Sequence, residues 1–249
     1  MTTKLVHQCS AGKTSPMKTI YRKFPVLFSC CAHLLCACAS SPVINSDLHE
    51  SVQWYTGAAG RVDDARARRH LEAAIAGGDT LAIMWEARVY STGRMGFERD
   101  PQRAAEIAAS VVSQVQRLAD AGNVEAMFLM GTAFAEGLGR SVDAQTAALW
   151  YERAASEGHM LAQHNLGNVY ASGTGVEKSE LQAVSWWRRA ALSGDAIPQY
   201  RLGQAYEAGS GTAPDRDEAI RWYRDAASRG NDAAQQALER LAVESLPDE

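Results

Sequence analysis

After residue 38 the chain has no cysteine, since Cys9, Cys30, Cys31, Cys36 and Cys38 account for all five. The folded part therefore holds neither a disulfide nor a thiolate metal site. Lysine is nearly as scarce there, with Lys178 the only one after Lys23. A basic excess is also missing. Of the 25 Lys and Arg residues, five (Lys4, Lys13, Lys18, Arg22 and Lys23) precede Cys38, leaving 20 against 29 Asp and Glu. Such a surface repels phosphate backbones and argues against a nucleic-acid partner. Catalytic signatures are lacking: there is no H-E-x-x-H, and His159 and His164, five apart, fall on different faces of a helix. Gly12-Lys13-Thr14 resembles the end of a phosphate loop, but His7 stands where the first glycine is needed. No enzyme, metal or cofactor is expected from these residues. With 46% hydrophobic and 22% charged residues, the composition is that of an ordinary globular chain.

The one strongly apolar run lies near the start and is short. From Met17 the chain reads MKTIYRK, then FPVLFSCCAHLLCAC, then ASSPVINS. A basic stretch, an apolar stretch and a small-residue exit make the layout of an export signal, and they point to Met17 as the true start. Leu35-Cys36-Ala37-Cys38 resembles the lipobox of bacterial lipoproteins, although Cys36 stands where a small residue is usual. That resemblance implies acylation of Cys38 and a membrane anchor, and Ala39 after it implies the outer membrane, facing the periplasm or the surface. Cleavage at Ala37-Cys38-Ala39, giving a soluble periplasmic or secreted protein, and an uncleaved apolar anchor remain the alternatives.

Beyond the leader the sequence repeats. Gly122, Gly158, Gly194 and Gly230 recur at a period of 36, as do Gly131/Gly167/Gly203 and Trp150/Trp186/Trp222. Phe134/Tyr170/Tyr206, the Gly-x-Gly pairs from Gly137, Gly173 and Gly209, and the alanine pairs from Ala154, Ala190 and Ala226 keep the same register. Each unit reads as two helices. Helix A ends at the aromatic before Gly-x-Gly, and helix B starts at an N-cap residue, Asp143, Ser179 or Asp215. Ser179 with Gln182 has the spacing of a capping box. The unit opening at Gly78 is 44 residues long, and seven of its extra residues lengthen helix B by about two turns, which keeps its buried face.

The pattern A-x-x-x-L-G-x-x-Y-x-x-G-x-G-V…D-x-x-x-A-x-x-W-Y-x-x-A-A-x-x-G resembles the Sel-one-like repeats (SLR), relatives of the tetratricopeptide repeats. AQHNLGNVYASGTGV and RWYRDAASRG carry the match most fully. The expected fold is all-α, an αα-hairpin superhelical solenoid. Its expected organisation is a leader and signal peptide over 1–38, a linker over 39–53, the solenoid over 54–241 and an acidic tail over 242–249. Within the solenoid lie a degenerate unit 54–77, units 78–121, 122–157, 158–193 and 194–229, and a terminal helix 230–241. The resemblance implies a non-catalytic scaffold binding a protein or peptide in the bacterial cell envelope. A cell-wall hydrolase, proposed for some cysteine-rich relatives, and a spacer without a ligand are the alternatives.

Helical angles separate core from candidate surface. Counting from each opening glycine, offsets +4, +8 and +12 (Ala126, Met130 and Phe134, and their equivalents) share one apolar face. Offsets +3, +7, +10 and +14 lie nearly opposite and change chemistry between units. They are Glu125, Leu129, Thr132 and Glu136; Leu161, Asn165, Asn168 and Ser172; and Ile197, Arg201, Gln204 and Ala208. Helix A commonly lines the concave side of such a solenoid, so this stripe is the candidate recognition surface. The recurring Trp and Tyr residues of helix B are expected in the core.

Overall fold

The computed structural model describes residues 45–243. Cys38 and the rest of the leader, and the tail after Val243, lie outside the described residues. Among the described residues the chain forms eleven α-helices and no strand: α1 (Ser46–Thr56), α2 (Asp64–Ala76), α3 (Thr80–Thr92), α4 (Pro101–Asp120), α5 (Val124–Glu136), α6 (Ala144–Ser156), α7 (Met160–Ser172), α8 (Glu180–Leu192), α9 (Ala196–Ala208), α10 (Arg216–Ser228) and α11 (Asp232–Val243). Odd-numbered helices are the A helices and even-numbered ones the B helices. Each packs on its partner and on the next helix in sequence, as in a solenoid.

Local chemistry sets these boundaries. The side chains of Asp63, Asp100, Asp143, Ser179 and Asp215 accept from the backbone N–H three residues on and so open the five B helices. The N–H of the same cap residue donates to the carbonyl of the aromatic near the end of helix A, as in Asp143 to Phe134 (2.9 Å) and Asp215 to Tyr206 (2.8 Å). This return bond fixes the turn between the two helices, and it alters the expectation at Ser179. Ser179 Oγ caps Gln182 N (3.3 Å), but its own N–H goes to Tyr170 O (2.9 Å), so the reciprocal half of the capping box is replaced by a backbone bond.

The linker expected over 39–53 gives way to helix from Ser46 onward. Asn45 caps α1 by accepting from Asp47 N (2.9 Å), and Leu48 and Ser51 are buried, with Ser51 Oγ donating to Ala67 O (2.8 Å). The first hairpin is therefore complete. Its helix A escapes the sequence pattern because it lacks the repeat's glycine and leucine signature.

Glycine at +9 has a packing cause. A Cβ on Gly131, Gly167 or Gly203 would stand 2.5, 2.3 or 2.4 Å from the ring of Tyr151, Trp187 or Tyr223, so the helix B aromatic occupies the space that any side chain would need. Gly211 meets the backbone of the neighbouring unit in the same way, with Glu180 O 2.2 Å from a Cβ built there. The recurring aromatics split into two groups. Trp150, Trp222, Tyr151 and Tyr223 are buried, whereas Trp186 and Trp187 are half-buried.

The two ends of the array meet. Val62 N donates to Arg229 O (2.9 Å), and Arg229 Nη1 donates to Gly57 O (3.0 Å) across 172 residues of sequence. The α1–α2 turn thus touches the α10–α11 turn, and the inner face of the A helices encloses a narrow space instead of a broad open groove.

Candidate partner-binding site

The inner face begins with Trp85, which sits at offset +7 from Gly78 and is fully buried. Its ring lies 5.7 Å from Phe128 and 6.1 Å from Tyr55 of α1, edge-on to the latter. Trp85 Nε1 donates to Glu125 Oε1 (2.6 Å), and His159 meets Glu125 Oε2 at 3.0 Å. His159 is also the N-cap of α7: its Nδ1 accepts from Ala162 N (3.2 Å), which leaves the proton on Nε2 to donate to Glu125. Burial pushes the Glu125 carboxyl up, but the attraction and hydrogen bond of His159, the bond from Trp85 and the nearby Arg88 charge outweigh it and hold the group below its ordinary value. A second buried pair, His164 Nδ1 with Asp195 Oδ2 (3.1 Å), anchors the cap of α9, where Asp195 Oδ1 accepts from Ile197 N (3.0 Å). Both histidines are largely buried and each is paired with a carboxylate at a helix start, so they hold adjacent A helices together.

This network divides the twelve stripe residues. Glu125, Leu129, Thr132 and Leu161 are buried, between 0 and 4% exposed, which corrects their reading as a recognition surface open to solvent. Leu129 and Thr132 are sealed inside α5, with Thr132 Oγ1 accepting from Tyr151 Oη (3.3 Å). Glu136 is exposed and accepts from the Ser91 hydroxyl. Ser172 is exposed and bonds Thr174 (2.7 Å). Gln204 and Ala208 line a separate groove at the far end of the array, with Tyr200, Glu207, Tyr223 and Arg240. There Glu207 accepts from Tyr223 Oη (2.7 Å) and pairs with Arg240 (2.5 Å); burial raises its carboxyl, the bonds from Tyr223 and Arg240 prevail, and the result is a lowered value.

The remaining members come together. Asn165, Asn168, Ile197 and Arg201, with the buried Leu161 beneath them, line a cleft of about 180 Å³ between α7, α9 and the first hairpins. Its opposite wall is Tyr55 and Thr56 at the end of α1, Arg88 of α3 and Arg94 in the following turn. Sequence reasoning misses those four. Arg88 is within reach, since the stripe offsets applied to the unit opening at Gly78 yield Leu81, Trp85, Arg88 and Thr92. Tyr55 and Arg94 carry no repeat signature and reach the cleft only through the curl of the array. Among the described residues no group of three or more His, Cys, Asp or Glu is placed to hold a metal ion, and no helix is long and apolar enough to cross a membrane.

Five copies of the Sel1 repeat match residues 54–79, 81–108, 124–159, 161–195 and 199–231. The chain belongs to the Sel1 repeat family. Proteins of the Sel1 repeat family are generally non-catalytic scaffolds that bind protein partners. The chain is similar to a Sel1 repeat protein from Oxalobacter formigenes, with 39% identity over 52% of this chain and 97% of that one, and a TM-score of 0.49. It also resembles c5321, a protective antigen present in uropathogenic Escherichia coli strains that displays an SLR fold. That match has 24% identity over 77% of this chain and 47% of that one, with a TM-score of 0.51, and it bears on the fold alone. No curated protein matches the chain. The expected all-α hairpin solenoid is thus the observed fold.

Proposed function

We propose that this Sel1 repeat chain is a non-catalytic adaptor of the bacterial cell envelope that holds a protein partner at the cleft between α1, α3, α7 and α9. One observation carries the reading. The +7 and +10 repeat offsets that are plugged by Trp85, Leu129 and Thr132 in the first half of the array are left accessible and polar at Asn165, Asn168 and Arg201. Filling those positions with apolar residues would stabilise the core, so a polar, uncovered lining is what a recognition surface requires.

The test is in-cell crosslinking from a photoreactive residue placed at Asn165 or Arg201, followed by mass spectrometry. A discrete protein adduct from these positions, absent from the outer positions Leu149 and Leu181, supports the reading. Equal labelling from both faces refutes it. The membrane attachment rests on the leader sequence: Cys38 carries the lipid and tethers the solenoid to the outer membrane. A Cys38→Ser chain that still incorporates a fatty-acid probe and still sediments with membranes overturns that part.

A further inference from the structure

The α1–α2 hairpin covers part of the inner face and is held unequally on its two sides. Leu161 of α7, only 4% exposed, lies between two clefts of about 180 Å³ each. Tyr55 and Thr56 wall one of them, and His49, Val52 and Gln53 wall the other, so α1 lies over this floor. Offset +3 is buried at Glu125 and Leu161 and only half-buried at Ile197, one unit further on. The hairpin packs on α3 less extensively than any later helix B packs on the helix A that follows it. There Arg68 donates to Gly96 O (2.8 Å) and Arg94 to Tyr55 Oη (3.0 Å), both through long side chains that can follow a rotation.

The turn from α2 to α3 reads Gly77-Gly78, whereas the corresponding turns read Ala121-Gly122, Glu157-Gly158, Ser193-Gly194 and Arg229-Gly230. The second glycine is required, since Gly78 has a φ of +76°. The first is not. Gly77 has a φ of −74°, open to any residue, and a Cβ there would meet only two carbonyls of its own helix, at 3.4 and 3.6 Å. Neither conformation nor packing accounts for this glycine, and what it adds is freedom for the backbone to turn. At the far end the same turn position carries Arg229, the only arginine of the set. Arg229 Nη1 donates to Gly57 O (3.0 Å), Val62 N donates to Arg229 O (2.9 Å), and Ala58 stands against Gly194. Two hydrogen bonds and one small apolar contact are few enough to open and close reversibly. Gly57 directly follows Tyr55 and Thr56, so the segment that is latched is the one that walls the cleft.

We propose that the α1–α2 hairpin is a lid on the inner face, hinged at Gly77-Gly78 and latched by Arg229, and that a partner reaches α7 and α9 only when it opens. At about 180 Å³ each, the two closed clefts fall below the roughly 300–1,000 Å³ of ordinary ligand pockets, and the contact between the array's ends closes the way in. Turning the hairpin about the Gly77-Gly78 hinge merges the clefts and uncovers Leu161. The regulatory part rests on the scaffold reading; the lid itself does not.

The test is thiol labelling with N-ethylmaleimide in native buffer, on the full chain with its five leader cysteines changed to serine, read at single residues by peptide mapping. Leu161→Cys reports opening of the lid, and Ala162→Cys, fully buried on the core face of the same helix, reports unfolding of α7. Leu161→Cys is expected to label at least about tenfold faster than Ala162→Cys. Arg229→Ala should raise the Leu161→Cys rate about fivefold, the loss of one hydrogen bond, and Gly77→Ala should lower it about threefold by stiffening the hinge. A lock is available as well. A Cβ built on Gly194 lies 3.6 Å from Ala58 Cβ, within the roughly 3.5–4.5 Å of a disulfide. Because Gly194 has a φ of +96°, a cysteine there is strained, so the oxidised Ala58→Cys/Gly194→Cys chain is compared with its own reduced form. Oxidation should bring the Leu161→Cys rate down to that of Ala162→Cys. Equal labelling at the two positions, or a Leu161→Cys rate that the lock leaves unchanged, overturns the lid. A rate unaltered by Arg229→Ala or by Gly77→Ala overturns the latch or the hinge, and with it the proposal. The two readings fail separately. Capture of a protein from Asn165 that persists in the oxidised lock leaves the scaffold standing and refutes the gating. A lid that opens in these assays while no protein is captured at Asn165 does the reverse.

Discussion

On α5 the inner-face offsets +3, +7 and +10 carry Glu125, Leu129 and Thr132, all buried, whereas on α9 the same offsets carry Ile197, Arg201 and Gln204, half-buried or exposed. The repeat places both sets identically along a helix A. Their fates diverge because Trp85, Tyr55 and His159 close over α5, while α9 faces the cleft. In a curled solenoid, then, a repeat position is core or surface according to what the superhelix brings opposite it. Burial also changes the chemistry tolerated: the first half carries a carboxylate inside, but only with its oxygens bonded by Trp85 and His159.

The sharpest way to break this contrast is at Trp85. Trp85→Ala removes a fully buried ring and frees an oxygen of Glu125, and it should lower unfolding free energy by about 3 to 5 kcal/mol in denaturant titrations. A loss under about 1 kcal/mol would mean that the first half is not a packed plug. Next in size is Glu125→Ala, which leaves Trp85 Nε1 and His159 Nε2 without their acceptor and should cost about 2 to 3 kcal/mol.

The Glu125 effect depends on pH with a definite sign. Its folded carboxyl titrates below the ordinary 4.5, so its stabilisation is fully present above about pH 4.5 and is lost as pH falls from there through the lowered folded value. The stability gap between wild type and Glu125→Gln should therefore narrow on acidification over that range. A gap that widens there contradicts the assignment.

Gly131→Ala drives a Cβ into the Tyr151 ring and should cost about 1 to 3 kcal/mol, since the ring is buried and must move. Arg229→Ala breaks one bond of the contact between the two ends and should cost about 1 kcal/mol. Small-angle scattering would show whether the array then widens, and an unchanged radius would mean that the rest of the contact suffices. At the bottom of the scale, Asn165→Ala should stay within about 0.5 kcal/mol of wild type while diminishing partner capture. A large stability loss there would move the cleft into the core and remove the contrast.

Much of this architecture is legible in the sequence because its cause is local and repeated. Gly131, Gly167 and Gly203 recur because an aromatic of helix B must approach helix A, and Asp143, Ser179 and Asp215 recur because each helix B needs a cap. Where the local signature fades, so does legibility, as with α1, whose residues 46–53 read as linker from the sequence and fold as helix. The binding face is legible only in part. Asn165, Asn168, Ile197 and Arg201 do converge, but Leu129 and Thr132 do not reach solvent, and periodicity along one helix holds no record of what lies across the superhelix.

By itself, then, the sequence determined the hairpin unit, its 36-residue period and the buried +4 and +8 residues of helix A, such as Ala126, Met130, Ala162 and Leu166, since these depend on contacts between residues close in the chain. Only the tertiary structure decided that the ends meet through Arg229 and Gly57, that Arg88, Arg94 and Arg201 face one cleft, and that Glu125 is buried with two donors. Those outcomes sum small rotations between successive hairpins, and a sum over the whole array is not written in any one repeat.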